Sequence, residues 1–160
     1  MTFGATPLPA EYDSAVIWLL RHGDAEEGDG DDDARELTDK GVRQSESAGR
    51  ALAELGVHID ACLTSPKLRA LETARIACEQ LDLGLEPEVE EDLRGGGLEL
   101  AAVTAGRGDV LLVGHEPDFS NAIGDATGGT VKLKKGGLAA LEDGVLHILA
   151  RPAELKRIGG

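Results

Sequence analysis

The sequence predicts an α/β fold, a three-layer, mostly parallel open sheet with helices on both faces and an antiparallel portion near the C-terminus. Three observations predict it. Short apolar-rich runs at Ala15–Leu20, Ile59–Thr64 and Asp109–Val113 read as strands covered on both faces. The stretches between them are long enough to hold the crossover helices that parallel neighbours require. Near the end, Gly137–Leu141 and Val145–Ala150 flank Glu142-Asp143-Gly144, a tight-turn sequence that joins antiparallel strands.

Taken in order, residues 1–13 carry Pro7 and Pro9 without periodicity and read as an N-terminal tail before a single domain over 14–160. The first strand stops at Arg21-His22-Gly23, and an acidic loop follows from Glu26 to Asp33. Thr38 caps a helix whose small and apolar positions include Val42, Ala48, Ala51, Leu52 and Leu55, with Gly56 as its stop. After the second strand, Ser65-Pro66 supplies an N-cap and a first-turn proline for a helix running to about Leu81. The stretch Glu86–Asp92 holds a short strand, glycines 95–97 break it, and Leu98–Ala105 forms a short helix. The third long strand ends at Gly114-His115-Glu116-Pro117, before a helix to about Ala126.

Composition narrows the function. The formal net charge of −14 excludes general affinity for nucleic acid or anionic membrane, so an anionic ligand must meet a local basic pocket. No apolar run reaches the length of a transmembrane helix, and no basic segment leads into a long apolar one near the N-terminus. A cytoplasmic protein is expected. With four aromatic residues, the core must come from Leu, Val, Ile and Ala. Cys62 and Cys78 lack metal or redox spacing and read as buried free thiols. The aspartates from Asp29 invite a calcium reading, but the twelfth position is Lys40, where an EF-hand loop needs glutamate. His58 and His147 stand outside any motif.

In an open α/β sheet the functional crevice lies beyond the carboxyl ends of the strands. Three strand ends here carry unusual polar residues: Arg21 and His22 on the first, Ser65, Lys67 and Arg69 after the second, and His115 on the third. Parallel pairing brings them to one edge. Guanidinium forks and helix N-termini match phosphate oxygens. A neutral imidazole beside them can attack phosphorus while a second one stabilises the transferring group. Lys67 and Ser65 also read as a solvated lysine and a helix cap, and are left out of the catalytic set.

The ordered segments Arg21-His22-Gly23-Asp24-Ala25, Leu37-Thr38-x-x-Gly41-x-x-Gln44, Ser65-Pro66-x-x-Arg69-Ala70-x-x-Thr73-Ala74 and Gly114-His115-Glu116-Pro117 resemble the histidine phosphatase superfamily from about Val16 to Pro152. Within it the chain is most similar to bacterial phosphohistidine phosphatases of the SixA type. The resemblance implies that His22 is phosphorylated in turnover, that Arg21 and Arg69 clamp the phosphoryl oxygens and that His115 stabilises the transfer. It implies no metal or organic cofactor.

One departure bears on the substrate. Many superfamily members have a glutamate after Leu-Arg that protonates an alcohol leaving group, and this chain has Leu93-Arg94-Gly95. The labile phosphorus–nitrogen bond of phosphohistidine needs less protonation than an alkoxide does. Only 46 positions separate Arg69 from His115, which leaves little room for a covering insertion. A histidine-phosphorylated protein is the partner these features imply. Asp24, Glu91 and Asp92 remain as substitute proton donors, and with them a small phosphorylated metabolite as substrate; Asp24 reads equally as loop structure. A non-catalytic phosphate- or phosphoprotein-binding module is the alternative outside enzymology.

The acidic surface repels an acidic partner at low salt. Association with an anionic phosphoprotein, followed by stopped flow, is therefore expected to be faster at moderate ionic strength. Rates that fall monotonically with added salt would contradict it.

Overall fold

The protein was analysed as a computed structural model that describes residues 15–160; the expected tail at 1–13 lies outside the described residues. The elements, in order, are β1 (Val16–Arg21), α1 (Asp39–Leu55), β2 (Ala61–Thr64), α2 (Leu68–Leu81), β3 (Glu88–Val89), α3 (Leu100–Thr104), β4 (Val110–Gly114), α4 (Asp118–Thr127), β5 (Leu138–Glu142), β6 (Val145–Ala150) and α5 (Pro152–Gly159). Short 3-10 turns occur at Asp32–Ala34 and Glu91–Leu93.

The strands form one six-stranded sheet in the order β3-β2-β4-β1-β5-β6. The first four pair in parallel, and β5 and β6 add an antiparallel hairpin beside β1. The predicted turn is the reason for that hairpin, since Asp143 and Gly144 both have positive φ, as a two-residue connection with the twist of its strands requires.

Side chains on adjacent strand positions point to opposite faces, and the core divides accordingly. Trp18, Leu20, Cys62, Leu111 and Val113 pack beneath Ala48, Leu52, Ala74 and Leu155 of α1, α2 and α5. Leu19, Leu63, Val110 and Leu112 pack on the other face against Val103, Phe119 and Ile123 of α3 and α4. Both faces are covered, which is why the strands read as apolar runs rather than alternating patterns.

The ends of α1 are where local chemistry put them. The Thr38 hydroxyl accepts from the Gly41 N–H at 3.0 Å, and Gly56 ends the helix with φ of 67°. The next helix differs from expectation: α2 begins at Leu68 with Lys67 as its N-cap, and Ser65 and Pro66 stay outside it. The physical reason is that Ser65 has other partners: its Oγ accepts from the Lys67 N–H and forms a hydrogen bond with His115. The helix expected at Leu98–Ala105 is shorter, and the acidic stretch contains an unexpected 3-10 turn. The C-terminal helix α5 was not expected at all. Its signals were Pro152 in the first turn and Glu154, which accepts from the Arg151 N–H at 2.7 Å. No helix among the described residues is long and apolar enough to cross a membrane.

Helices α1 and α2 touch closely because Gly49 has no side chain. A Cβ there would lie 2.4 Å from the Ala77 carbonyl oxygen. An exposed helix interior gains about 1 kcal/mol from Gly→Ala, so the contact predicts the opposite sign. Gly49→Ala is expected to lower stability by about 1–3 kcal/mol, read as a lower urea midpoint at unchanged slope.

Candidate active site

Strand register assembles the site. Arg21 lies opposite Gly114 and Thr64 opposite Val113, so the ends of β1, β4 and β2 are level. Just beyond them, the His22 N–H donates to the Gly114 carbonyl at 3.1 Å and the Ser65 N–H to the Val113 carbonyl at 2.9 Å. The result is a pair of buried imidazoles, His22 and His115, with ring centroids 5.2 Å apart. Arg69, in the first turn of α2, is also buried.

The segments flanking the histidines are tied down by the other polar residues of the sequence pattern. The Gly23 N–H donates to Thr73 Oγ1, which in turn donates to the Arg69 carbonyl. Gln44 Oε1 accepts from the Asp24 N–H at 2.8 Å. A Cβ on Gly41 would fall 2.0 Å from the Asp24 carbonyl oxygen, so only glycine lets α1 approach this turn. Glu116 accepts from the Ser120 N–H and hydroxyl and from the Leu133 N–H, and so fixes the 131–136 segment beside the pocket. Arg21 Nη1 donates to the Leu133 carbonyl at 3.0 Å.

The tautomer of His22 is set by its neighbour. Its Nδ1 lies 2.7 Å from the Gly23 carbonyl oxygen. A carbonyl can only accept, so Nδ1 carries the hydrogen and Nε2 of the neutral ring keeps its lone pair. Burial pushes the His22 pKa down to about 4; the Gly23 hydrogen bond opposes this, while Arg69, Arg21 and Lys135 add to it. His115 is pushed down to about 3 by burial, then by His22, Arg69 and Lys67. Both rings are neutral at pH 7. Burial also lowers Arg21, with Glu116 opposing.

These groups line a cavity of about 300 Å³. Arg21, Arg35, Lys67, Arg69, Arg94 and Lys135 give it six cations, and Glu116 is its one lining carboxylate among the described residues. An acidic chain thus holds the local basic pocket that its charge demanded. The arrangement can bind a tetrahedral oxyanion and present a nucleophilic nitrogen to it. Arg21 and Arg69 each have a buried Nε without a protein partner, which adds to the donors around the site.

Of the residues singled out in the sequence, Arg21, His22, Lys67, Arg69 and His115 come together here, and Ser65 meets them through His115. The candidate proton donors lie elsewhere. Asp24 accepts from the Thr38 hydroxyl at 2.8 Å and faces Lys135 Nζ at 3.6 Å. Glu91 accepts from Arg94, and with Asp92 it lines a neighbouring cleft of about 530 Å³. That cleft shares Arg94 and Gly95 with the basic pocket. Cys62 and Cys78 are buried and free, as expected. One set compact enough to hold a metal, His58 with Asp60 and Asp109, sits at the amino ends of β2 and β4, at the opposite edge of the sheet.

Sequence reasoning missed Arg35, Arg94, Lys135 and Asp32. For Lys135 a signal existed: Lys132, Lys134 and Lys135 crowd four positions of a strongly acidic chain, directly before Gly136 and Gly137. Asp32 is brought to the site by contacts more than thirty residues away in sequence, and Arg35 follows it through its bonds to Asp32 and to the Glu26 carbonyl, with no local mark on either.

Known proteins resemble this chain in sequence and in fold. Residues 17–100 match the family model described as histidine phosphatase superfamily (branch 1). An uncharacterized protein of Picosynechococcus sp. is 36% identical over 148 residues, covering 84% of this chain and 88% of its own length. The mitochondrial serine/threonine-protein phosphatase Pgam5 of Drosophila simulans is 40% identical over 73 residues, 46% of this chain but only 25% of that protein. The structure of the protein histidine phosphatase SixA complexed with tungstate superposes with a TM-score of 0.76 at 26% identity, over 88% of this chain and 99% of that one.

The depressed histidines set a pH dependence. The unfolded chain takes up protons near pH 6.5 that folded His22 refuses until about pH 4, so this group makes stability fall as pH drops across that window. Long-range proton–nitrogen NMR of the imidazoles is expected to show His22 protonated on Nδ1 and untitrated from pH 8 down to about 5. A midpoint above 6 in the free protein would show that burial does not hold the ring neutral.

Proposed function

The chain belongs to the histidine phosphatase superfamily, and on that premise we propose that it hydrolyses phosphohistidine on a cytoplasmic signalling or phosphorelay protein, without a metal, through a phosphoenzyme on His22. The observation that carries this reading is a buried, neutral imidazole with its Nε2 lone pair available inside a pocket of arginines and lysines.

In the first step His22 Nε2 attacks phosphorus. The bond from phosphorus to the substrate's imidazole nitrogen breaks, its electron pair stays on that nitrogen, and the departing ring takes a proton from water. Arg21 and Arg69 hold the equatorial oxygens, and they supply the positive charge that a metal provides in other phosphatases. His115 acts as the neutral hydrogen-bonding partner of the transferring group. Water then attacks the phosphoenzyme, releasing inorganic phosphate and restoring His22.

Two features favour a phosphoramidate. The sequence has glycine where an acid would follow Leu93-Arg94, and the oxygens of Glu116, the pocket's lining carboxylate, already accept three hydrogen bonds. The neighbouring cleft offers room for the macromolecule that carries the phosphoryl group. The SixA relative is a protein histidine phosphatase and was solved with tungstate, a tetrahedral oxyanion of the kind this pocket suits. A second reading is hydrolysis of phosphate monoesters, with Glu91 of the adjoining cleft as acid; the serine/threonine-protein phosphatase relative favours it.

The purified protein, with EDTA present, is to be incubated with a histidine-phosphorylated carrier domain and a panel of monoesters. Rapid release from phosphohistidine, little from monoesters, and an acid-labile phosphoenzyme are expected. His22→Ala is expected to abolish all three signals, and Arg69→Ala to slow release by about 10²–10³-fold. A monoester preference lost in Glu91→Gln would establish the second reading. Phosphate binding without release or phosphoenzyme on either class would mark a binding module.

A further inference from the structure

The acidic loop after β1 reaches into the site. Its base is closed by the bridge between Ala25 and Leu37 and by the Glu26 N–H, which donates to the Glu36 carbonyl at 2.8 Å. Its tip carries Gly28 and Gly30, both at positive φ, and then the 3-10 turn that starts at Asp32. Asp32 meets three of the pocket's cations. Lys67 Nζ lies 2.7 Å from Oδ2, Arg69 Nη2 donates to the same oxygen at 3.3 Å, and Arg35 Nη1 donates to Oδ1 at 3.2 Å.

The neighbouring carboxylates repeat the pattern. Asp33 pairs with Arg94, Asp24 faces Lys135, and Glu116 acts on Arg21. Glu91 also pairs with Arg94, so six cations face five carboxylates. The pocket is therefore almost neutralised before anything binds.

Asp32 differs from the other four carboxylates because its partner is the buried clamp arginine, whose side chain is 7% exposed while that of Asp32 is 53% exposed. The orientation of Arg69 does not depend on this carboxylate, since Arg69 Nη1 already donates to the Asp32 main-chain carbonyl at 2.7 Å. The longer contact from Nη2 is the replaceable one. A solvent-exposed carboxylate thus sits on the guanidinium that a phosphoryl oxygen would engage.

We propose that Asp32 is an internal competitor for the phosphoryl clamp: its carboxylate occupies Arg69 and Lys67 between turnovers, yields them to the substrate's phosphoryl oxygens, and by competing for them sets how readily phosphate leaves. The proposal rests on the reading of this pocket as a phosphoryl site. With three of its cations uncompensated, the pocket would retain its own product. The glycine-bearing tip lets the carboxylate withdraw while the tied base keeps the loop in register.

The test is titration calorimetry with inorganic phosphate in EDTA, on the wild type, Asp32→Asn and Asp32→Glu. Asp32→Asn keeps the shape and removes the charge. It is expected to bind phosphate about tenfold more tightly and to show product inhibition at correspondingly lower phosphate. Asp32→Glu restores a competing carboxylate and is expected to stay close to the wild type. Equal or weaker binding by folded Asp32→Asn, beside a wild type that binds, overturns the role of Asp32 and leaves the phosphoryl pocket standing. If neither protein binds, the phosphoryl reading itself falls. Should Asp32→Asn not fold, the wild type alone decides: its Asp32 carboxyl carbon resonance shifts as phosphate saturates the site if the carboxylate is displaced, and stays put if the proposal is wrong.

Discussion

Parallel pairing of β1 with β4, with Arg21 opposite Gly114, determines the distance between the two imidazoles and hence the existence of the pocket. A slip of one residue would turn Leu19 and Leu20 to the wrong faces and carry His22 away from His115. Two cores oppose such a slip, because every residue of β4 is buried against helices on one side or the other. Apolar packing thus sets a polar geometry. The histidines lie just past the last paired residues, where the rigid sheet ends and the backbone is free to turn, but where they inherit the precision of the strands.

That placement has an electrostatic cost which the surrounding chain offsets. Burial beside guanidiniums disfavours a charged imidazole, so His22 and His115 stay neutral, the state a nitrogen nucleophile needs. The guanidiniums themselves are steadied by Asp32 and Asp33, by Glu91 and by Glu116, from three places in the sequence. Lys67, Arg35 and Arg69 in turn hold the Asp32 carboxyl far below the usual carboxylate range. A chain of net charge −14 can therefore keep a basic cavity without leaving clustered cations to repel one another.

The features legible in the sequence were those that depend on neighbours along the chain. The buried strands announced themselves as apolar runs with abrupt polar ends, and α1 by Thr38 and Gly56. Aligning the strand ends was then enough to bring Arg21, His22, Arg69 and His115 to one edge. Features decided by distant partners were not legible. Ser65 reads as a helix cap, and only His115, fifty residues on, gives its hydroxyl another use. The acidic loop has no assigned role in the sequence, and Asp32 acquires partners only when Arg69 and Lys67, more than thirty residues away, come within reach. The last helix escaped notice because it is short and Leu155 is its single buried residue.

The outer edge of the sheet is built differently from its centre. Strand β3 pairs with β2 over two residues, Glu88 and Val89, and the segment behind it supplies the walls of the cleft beside the pocket. Beyond so brief a pairing the chain is held by Leu93, buried in the core, and by the Gly97 N–H, which donates to Asp118, and surface connections held at such points accept changes in length and sequence between them. The basic pocket is built at the ends of β1 and β4 and the start of α2, whereas the walls of the adjoining cleft come from this margin. One border of the molecule can therefore change its contour while the pocket at the strand ends keeps its geometry.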